Sequence, residues 1–140
     1  MDKALNYLAL ARKAGLAELG EEPVGGAARA GKAYVILVAS DASEHTWRRA
    51  KSFAAGTEQQ CVRLPWTKDE VGAAIGRDAL AIGAITDVSM ALALVQALPQ
   101  NESNQPALEA LTRKAEKAKQ RQQEAKAHQR NLRRGKKHVK

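Results

Sequence analysis

The sequence is poor in the features that most often announce a chemistry. Aromatic residues make up only 4% of it, so a core has to be assembled from Ala, Val, Leu and Ile. Cys61 is its one cysteine, which excludes an internal disulfide, and on an expected buried strand it reads as an inert thiol. His45, His128 and His138 have no metal-ligand spacing with it. There is no phosphate-binding P-loop and no dinucleotide fingerprint. No apolar run approaches the length of a membrane span, and the start does not resemble a signal peptide. The expectation is a soluble cytoplasmic protein without metal or cofactor. Asp41, Ser43 and His45 stand close together, but at an expected helix start, where Asp and Ser serve as caps. A hydrolytic triad is recognised by converging geometry rather than by adjacency in sequence, so no catalytic residue is expected.

The net charge is +8, and it is segregated. Residues 1–100 carry eleven Lys and Arg against eleven Asp and Glu, whereas residues 101–140 carry twelve against four. A neutral compact part followed by a basic tail points to a polyanionic partner, most often nucleic acid.

The compact part alternates elements. Residues 1–14 form an amphipathic helix with Arg12 and Lys13 at its end, closed by Gly15. Leu16–Leu19 is a short strand. Gly20 turns the chain into a helix over residues 21–30, whose first turn, Glu21-Glu22-Pro23, suits the free N–H groups there. Such a junction can hold a phosphate on its backbone, although an ordinary strand-to-helix turn has the same pattern. Residues 33–39 are apolar almost throughout and predict a strand buried on both faces. Asp41 is the expected cap, with Glu44 as its capping-box partner, of a helix over 42–54 that carries Arg48, Arg49 and Lys51 outward. Residues 60–64 form a third strand and 80–85 a fourth. Thr67 and Glu70 frame a helix to about Gly76, and a last helix runs over 88–98 to Pro99. Trp47 fits the core, and Trp66, in a loop, is the better placed of the two tryptophans to stack on a base. The order argues an α/β fold: a three-layer α/β/α sandwich around a small four-stranded mixed sheet.

Residues 1–99 are thus expected as one domain, 100–105 as a linker and 106–140 as a basic helical or disordered tail. Leu108, Leu111, Ala115, Ala118, Gln122, Ala125, Gln129 and Leu132 make a heptad-like stripe too small and polar for a coiled coil. It predicts a marginal, solvent-exposed helix to about Arg134, with residues 135–140 disordered.

Four pieces stand in order: Leu10-Ala11-Arg12-Lys13-Ala14-Gly15; Gly20-Glu21-Glu22; Gly31-Lys32-Ala33 running into Val35 through Ser43; and residues 71–76 with Ala84-Ile85-Thr86-Asp87. Over residues 3–98 the sequence resembles the kink-turn RNA-binding ribosomal proteins, the L-seven-Ae and L-thirty-e family, and most of all the bacterial YlxQ-type members. The resemblance implies the same sandwich and a non-enzymatic, monomeric protein of ribonucleoproteins that binds structured RNA, ribosomal RNA foremost. It implies contacts at Gly20, Glu21 and Glu22 and in the loop carrying Arg77 and Asp78. Lys13, Arg29 and Lys32 are further expected contacts.

Several positions depart from the family pattern. Leu16 stands where a lysine is usual, Glu18 and Leu19 where basic residues are usual, and Pro23 and Gly26 replace polar and cationic helix positions. Each missing cation weakens phosphate binding, so the tail is expected to compensate through Arg113, Lys114, Lys117, Arg121, Arg130, Arg133 and Arg134. The alternative is a ribosome-associated assembly or protein-interaction factor without kink-turn specificity. A third, an RNA-modifying enzyme, lacks room for a catalytic domain.

Overall fold

Which backbone segments become strands follows from where the sequence is apolar without interruption. Val35–Val38 (β2) and Ile82–Ile85 (β4) are buried at every residue and form the middle of the sheet. In the computed structural model, which describes the backbone of residues 2–138 and the side chains of residues 2–132, the strand order is β1-β4-β2-β3, with β1 at Ala17–Leu19 and β3 at Gln60–Arg63. β4 is antiparallel to both β1 and β2, and β3 is parallel to β2. The sheet is mixed, as expected.

Side chains alternate across it. Val35, Leu37, Val62 and Ile85 point into one cluster, Ile36, Val38, Ile82 and Ala84 into the other. The first cluster is covered by α1 (Lys3–Lys13) and α5 (Val88–Ala97), with α4 (Lys68–Ala74) contributing Val71 and, just past its end, Ile75. The second is covered by α2 (Glu21–Arg29) and α3 (Glu44–Ala54) through Val24, Ala28 and Ala50. Buried Gln59 ties the ends of these layers. Its Oε1 accepts from the Ala33 N–H at 3.0 Å, and its Nε2 donates to the Ala28 carbonyl at 3.1 Å.

Of two expected caps, one is kept and one is moved. Thr67 and Glu70 make the expected capping box of α4. The cap of α3, however, is Ser43, which accepts from the Thr46 N–H at 3.1 Å. Asp41 reaches across the chain instead and accepts from the Lys68 N–H at 2.7 Å. A donor at the start of α4 competes for the carboxylate with the start of α3, and sequence spacing registers only the second.

The larger difference lies in the tail. Helix α6 runs from Gln105 to His138, so the helical backbone continues through Gly135 instead of ending near Arg134; Val139 and Lys140 fall outside the described residues. Its first three turns are not a free appendage. Ala107 and Leu111 are buried in the first core cluster, and Leu108 packs against it. The segment 100–104, expected as a linker, is a folded turn. The Asn101 carboxamide accepts from the Asn104 N–H at 2.9 Å, and the buried Asn104 donates to the Pro99 carbonyl at 3.2 Å. The core therefore crosses the boundary drawn at residue 99. Small residues explain why the pattern misleads: Ala107, outside the heptad-like stripe, is buried in the core, where a small side chain is enough to fill a close helix–helix approach. From residue 119 to 132, the last with a described side chain, the helix is exposed save for half-buried Ala127, and at 1.5 Å per residue the backbone stretch 119–138 spans roughly 30 Å.

Candidate nucleic-acid interface

The sheet has two ends, and they differ in chemistry. At one end β1, β2 and β3 finish and β4 begins; Leu19 pairs with Gly83 and Val38 with Ile82. Gly20 holds φ +99°, a left-handed conformation that favours glycine, and its N–H donates to the Ile82 carbonyl at 3.0 Å. This turn delivers the chain into α2. Gly20 has no side chain to cap the helix, Pro23 has no N–H, and the Val24 N–H folds back onto the Gly20 carbonyl at 3.0 Å. The N–H groups of Glu21 and Glu22 thus stand at an uncapped helix start, with the positive end of the dipole behind them.

The acids at that start are not equivalent. Glu22 is exposed. Glu21 is drawn to α3: its Oε1 lies 2.7 Å from Arg49 Nε and 3.9 Å from His45 Nε2. The Arg49 contact is a charge contact rather than an aligned hydrogen bond. The residue expected to face RNA is therefore neutralised from within the fold. Of Asp41, Ser43 and His45, the first two make the helix-start bonds described above and the third faces Glu21, so each has a structural partner.

The loop that leads into β4 lies against α4. The Arg77 N–H donates to the Gly72 carbonyl at 2.8 Å, and a Cβ placed on Gly72 would stand 2.6 Å from the Ala79 Cα. This close approach turns the side chains of Arg77 and Asp78 to solvent. Across a 620 Å³ groove between α1 and α4, Lys13 and Arg12 face Ile75 and Gly76, and the Arg12 guanidinium donates to the Ile75 carbonyl. Lys13 is thereby placed beside the loop. Arg29 and Lys32 are exposed at the opposite end of α2, away from Gly20.

The other end of the sheet is bounded by Tyr34, whose N–H donates to the Ile85 carbonyl at 2.9 Å, and by Gln60, paired with Val35. Here α6 crosses. Arg113, Lys114, Lys117 and Arg121 line one wall of a 460 Å³ groove, with Tyr34 and Glu58 on the other. Lys114 Nζ sits 3.0 Å from Glu58 Oε2 and 5.5 Å from the centre of the Tyr34 ring. The hydrogen bond and charge of Lys114, with Lys117 behind it, hold the Glu58 carboxyl below its ordinary pKa. Arg130 is exposed farther along α6; Arg133 and Arg134 belong to the same helix, but their side chains lie outside the described ones.

The expected contacts therefore do not form one site. Gly20, Glu21 and Glu22 share an end with the loop of Arg77 and Asp78, and Lys13 lies across from that loop. Arg113, Lys114, Lys117 and Arg121 converge at the other end, a strand length of roughly 10–15 Å away. Two groups escape a reading of the sequence. Tyr34 and Glu58 complete the α6 groove; their only local signal is an aromatic residue at the mouth of an otherwise aliphatic strand. On the α3 face, Arg63 lies 4.4 Å and Lys51 5.6 Å from the Trp47 ring centre, and Arg49 lies 5.4 Å from that of Phe53. Trp66, expected as the freer ring, packs against the first core cluster. Cys61, beside the Trp47 cluster, is pushed up to about 11 by burial, with Lys51 and Arg63 only partly opposing it, so it stays a neutral thiol near neutral pH. Among the described residues no three His, Cys, Asp or Glu side chains gather as a metal site, and no helix is long and apolar enough to cross a membrane.

No protein-family profile matches the chain. Among solved structures, a protein of unknown function from Bacillus halodurans superposes with a TM-score of 0.65 at 24% identity, covering 69% of this chain and 97% of that one. A 15.5 kD RNA binding protein of Giardia lamblia superposes with a TM-score of 0.53 at 16% identity, covering 78% and 87%. These two share the fold. A protein of Enterococcus faecium, named RNA-binding protein YlxQ, is 34% identical over 83 residues, which are 59% of this chain and 80% of that protein. With that identity over most of the relative's length, and with the sandwich the sequence pattern implies, the chain belongs to the YlxQ family.

Proposed function

We propose that this protein binds structured RNA without catalysing a reaction on it. The observation that carries the reading is α6: a cationic helix rooted in the core by Ala107 and Leu111 that projects from a domain otherwise neutral in charge. The name of the Enterococcus faecium relative supports it. In this reading a bent RNA, in the first place a ribosomal kink-turn, rests on the uncapped start of α2 and the loop of Arg77 and Asp78. The bases there are unpaired enough to be read by shape. The projecting half of α6 follows the backbone and supplies most of the attraction, because phosphate neutralisation dominates affinity. The protein acts as a monomer in the cytoplasm.

Mobility shifts with a kink-turn RNA and with a plain duplex test this. The full chain should shift the kink-turn RNA at low salt. Changing Lys126, Arg130, Arg133 and Arg134 together to Gln should weaken binding and flatten the salt dependence, by about 0.7 in log–log slope for each single-strand phosphate that is no longer neutralised. Failure of the full chain to shift either RNA at low salt would sink the proposal, and an unchanged slope would remove α6 from it. Exposed Glu18 and Glu22 favour one second reading, an assembly factor of the ribosome that does not read kink-turns. Equal shifts of kink-turn and unrelated large RNAs would select it.

A further inference from the structure

The groove under α6 does not belong to the helix-start end, and its chemistry differs. Four cations and one carboxylate surround a tyrosine. Tyr34 is half-buried: it packs against the core cluster and also lines the groove. The volume of 460 Å³ falls in the range of small-ligand sites, roughly 300–1,000 Å³. A cationic wall facing an aromatic shelf is the arrangement that holds single-stranded nucleic acid: the base stacks on the ring while the cations take the phosphates.

We infer that this groove holds an unpaired nucleotide of the bound RNA, its base on Tyr34 and its flanking phosphates on Arg113, Lys117 and Arg121, with Glu58 occupying Lys114 until RNA arrives. The inference rests on the RNA-binding reading above. The Lys114 amine lies over the ring at 5.5 Å and is held there by Glu58 at 3.0 Å. Glu58 thus plays the part of an internal phosphate, and Lys114 must leave the ring face for a base to enter. The pair is open to solvent on the glutamate side, so the exchange of carboxylate for phosphate costs little. RNA is favoured over an acidic protein segment because a carboxylate chain would use the cations and leave the tyrosine ring without a role.

Fluorescence anisotropy of a labelled single strand of roughly ten nucleotides, and of its duplex, tests this with the full chain near physiological salt. The wild type should prefer the single strand. Tyr34→Ala should weaken single-strand binding about tenfold, the scale of one base stacked on an aromatic ring, and Tyr34→Phe should not. Because Tyr34 also touches the core, the exposed pair Lys117→Glu with Arg121→Glu serves as the second variant and should weaken it at least as much. Glu58→Gln should tighten it by about threefold, the scale of one exposed charge pair. Equal binding of duplex and single strand, or displacement by polyglutamate with no effect of Tyr34→Ala, would overturn the inference. Groove variants that bind single strands and kink-turn RNA like the wild type would overturn it while leaving the RNA-binding reading intact. Absence of any RNA binding by the wild type would fail the reading itself.

Discussion

The two ends of the sheet differ in electrostatic design, and the proposed RNA binding would draw on each in an opposite way. At the helix-start end the turn offers backbone N–H donors and a helix dipole, with Glu18, Glu21 and Glu22 beside it and Arg49 spent on Glu21. At the groove end the attraction comes from the side chains of α6, and the backbone contributes none of it. The first design fixes geometry and gives little net charge. The second gives charge, and is positioned only because the start of α6 is part of the core. In the proposed reading, the acids at the Gly20 turn leave the attraction to an element that packs against the same sheet and is anchored there.

The anchor is the most breakable part of this contrast. Leu111 is fully buried between α6, α5 and the sheet face. Leu111→Ala should lower stability by about 2–5 kcal/mol, the cost of an internal cavity of that size, which is a large share of the stability of an ordinary domain. Thermal melts of the full chain check it. A drop well below 1 kcal/mol would mean that α6 is a tail after all and that the groove has no fixed wall. At the other end, Gly72→Ala should cost about 1–3 kcal/mol, because the new Cβ meets backbone atoms of Ala79 at 2.6–2.9 Å and one of the two segments must move. The gain in helix propensity, about 1 kcal/mol, offsets only part of this. Melting should again report it, and groove binding of single strands should survive wherever the variant is folded.

How far this was legible in the sequence depends on the range of the interaction. The layered α/β order and the capping box at Thr67 are written in local patterns, and Val35–Val38 shows both-face burial in its composition alone. The Asp41 bond to Lys68 spans 27 residues, so a local capping rule assigned the aspartate to the wrong helix. The anchoring of α6 is hidden for a related reason: Leu108 and Leu111 open a stripe that later turns polar, Ala107 lies outside it, and only the neighbouring α5 tells which half is covered. The candidate contacts are residues that charge and resemblance single out in the sequence, and what cannot be read there is their division between two ends. That division depends on strand direction, which Lys32, Tyr34 and Lys114 do not reveal by spacing.

The smallest effect sharpens the comparison most, because its sign discriminates. Glu21 and Arg49 form an ion pair whose side chains are 39% and 46% exposed, so breaking it should change stability by under about 1 kcal/mol. Glu21→Gln leaves a hydrogen-bonding side chain at the start of α2, removes one negative charge and releases Arg49 beside the turn. If the helix-start end attracts RNA through its backbone and dipole, the variant should bind kink-turn RNA a few-fold more tightly, since a repulsive carboxylate is gone and a cation is freed. If instead the carboxylate itself accepts from a base, the same substitution should weaken binding, because a buried base donor would be left without its charged partner. Anisotropy with the kink-turn RNA separates the two, and Arg49→Ala gives the control: it frees Glu21 without neutralising it, so it should weaken binding under the first account and leave the base contact available under the second.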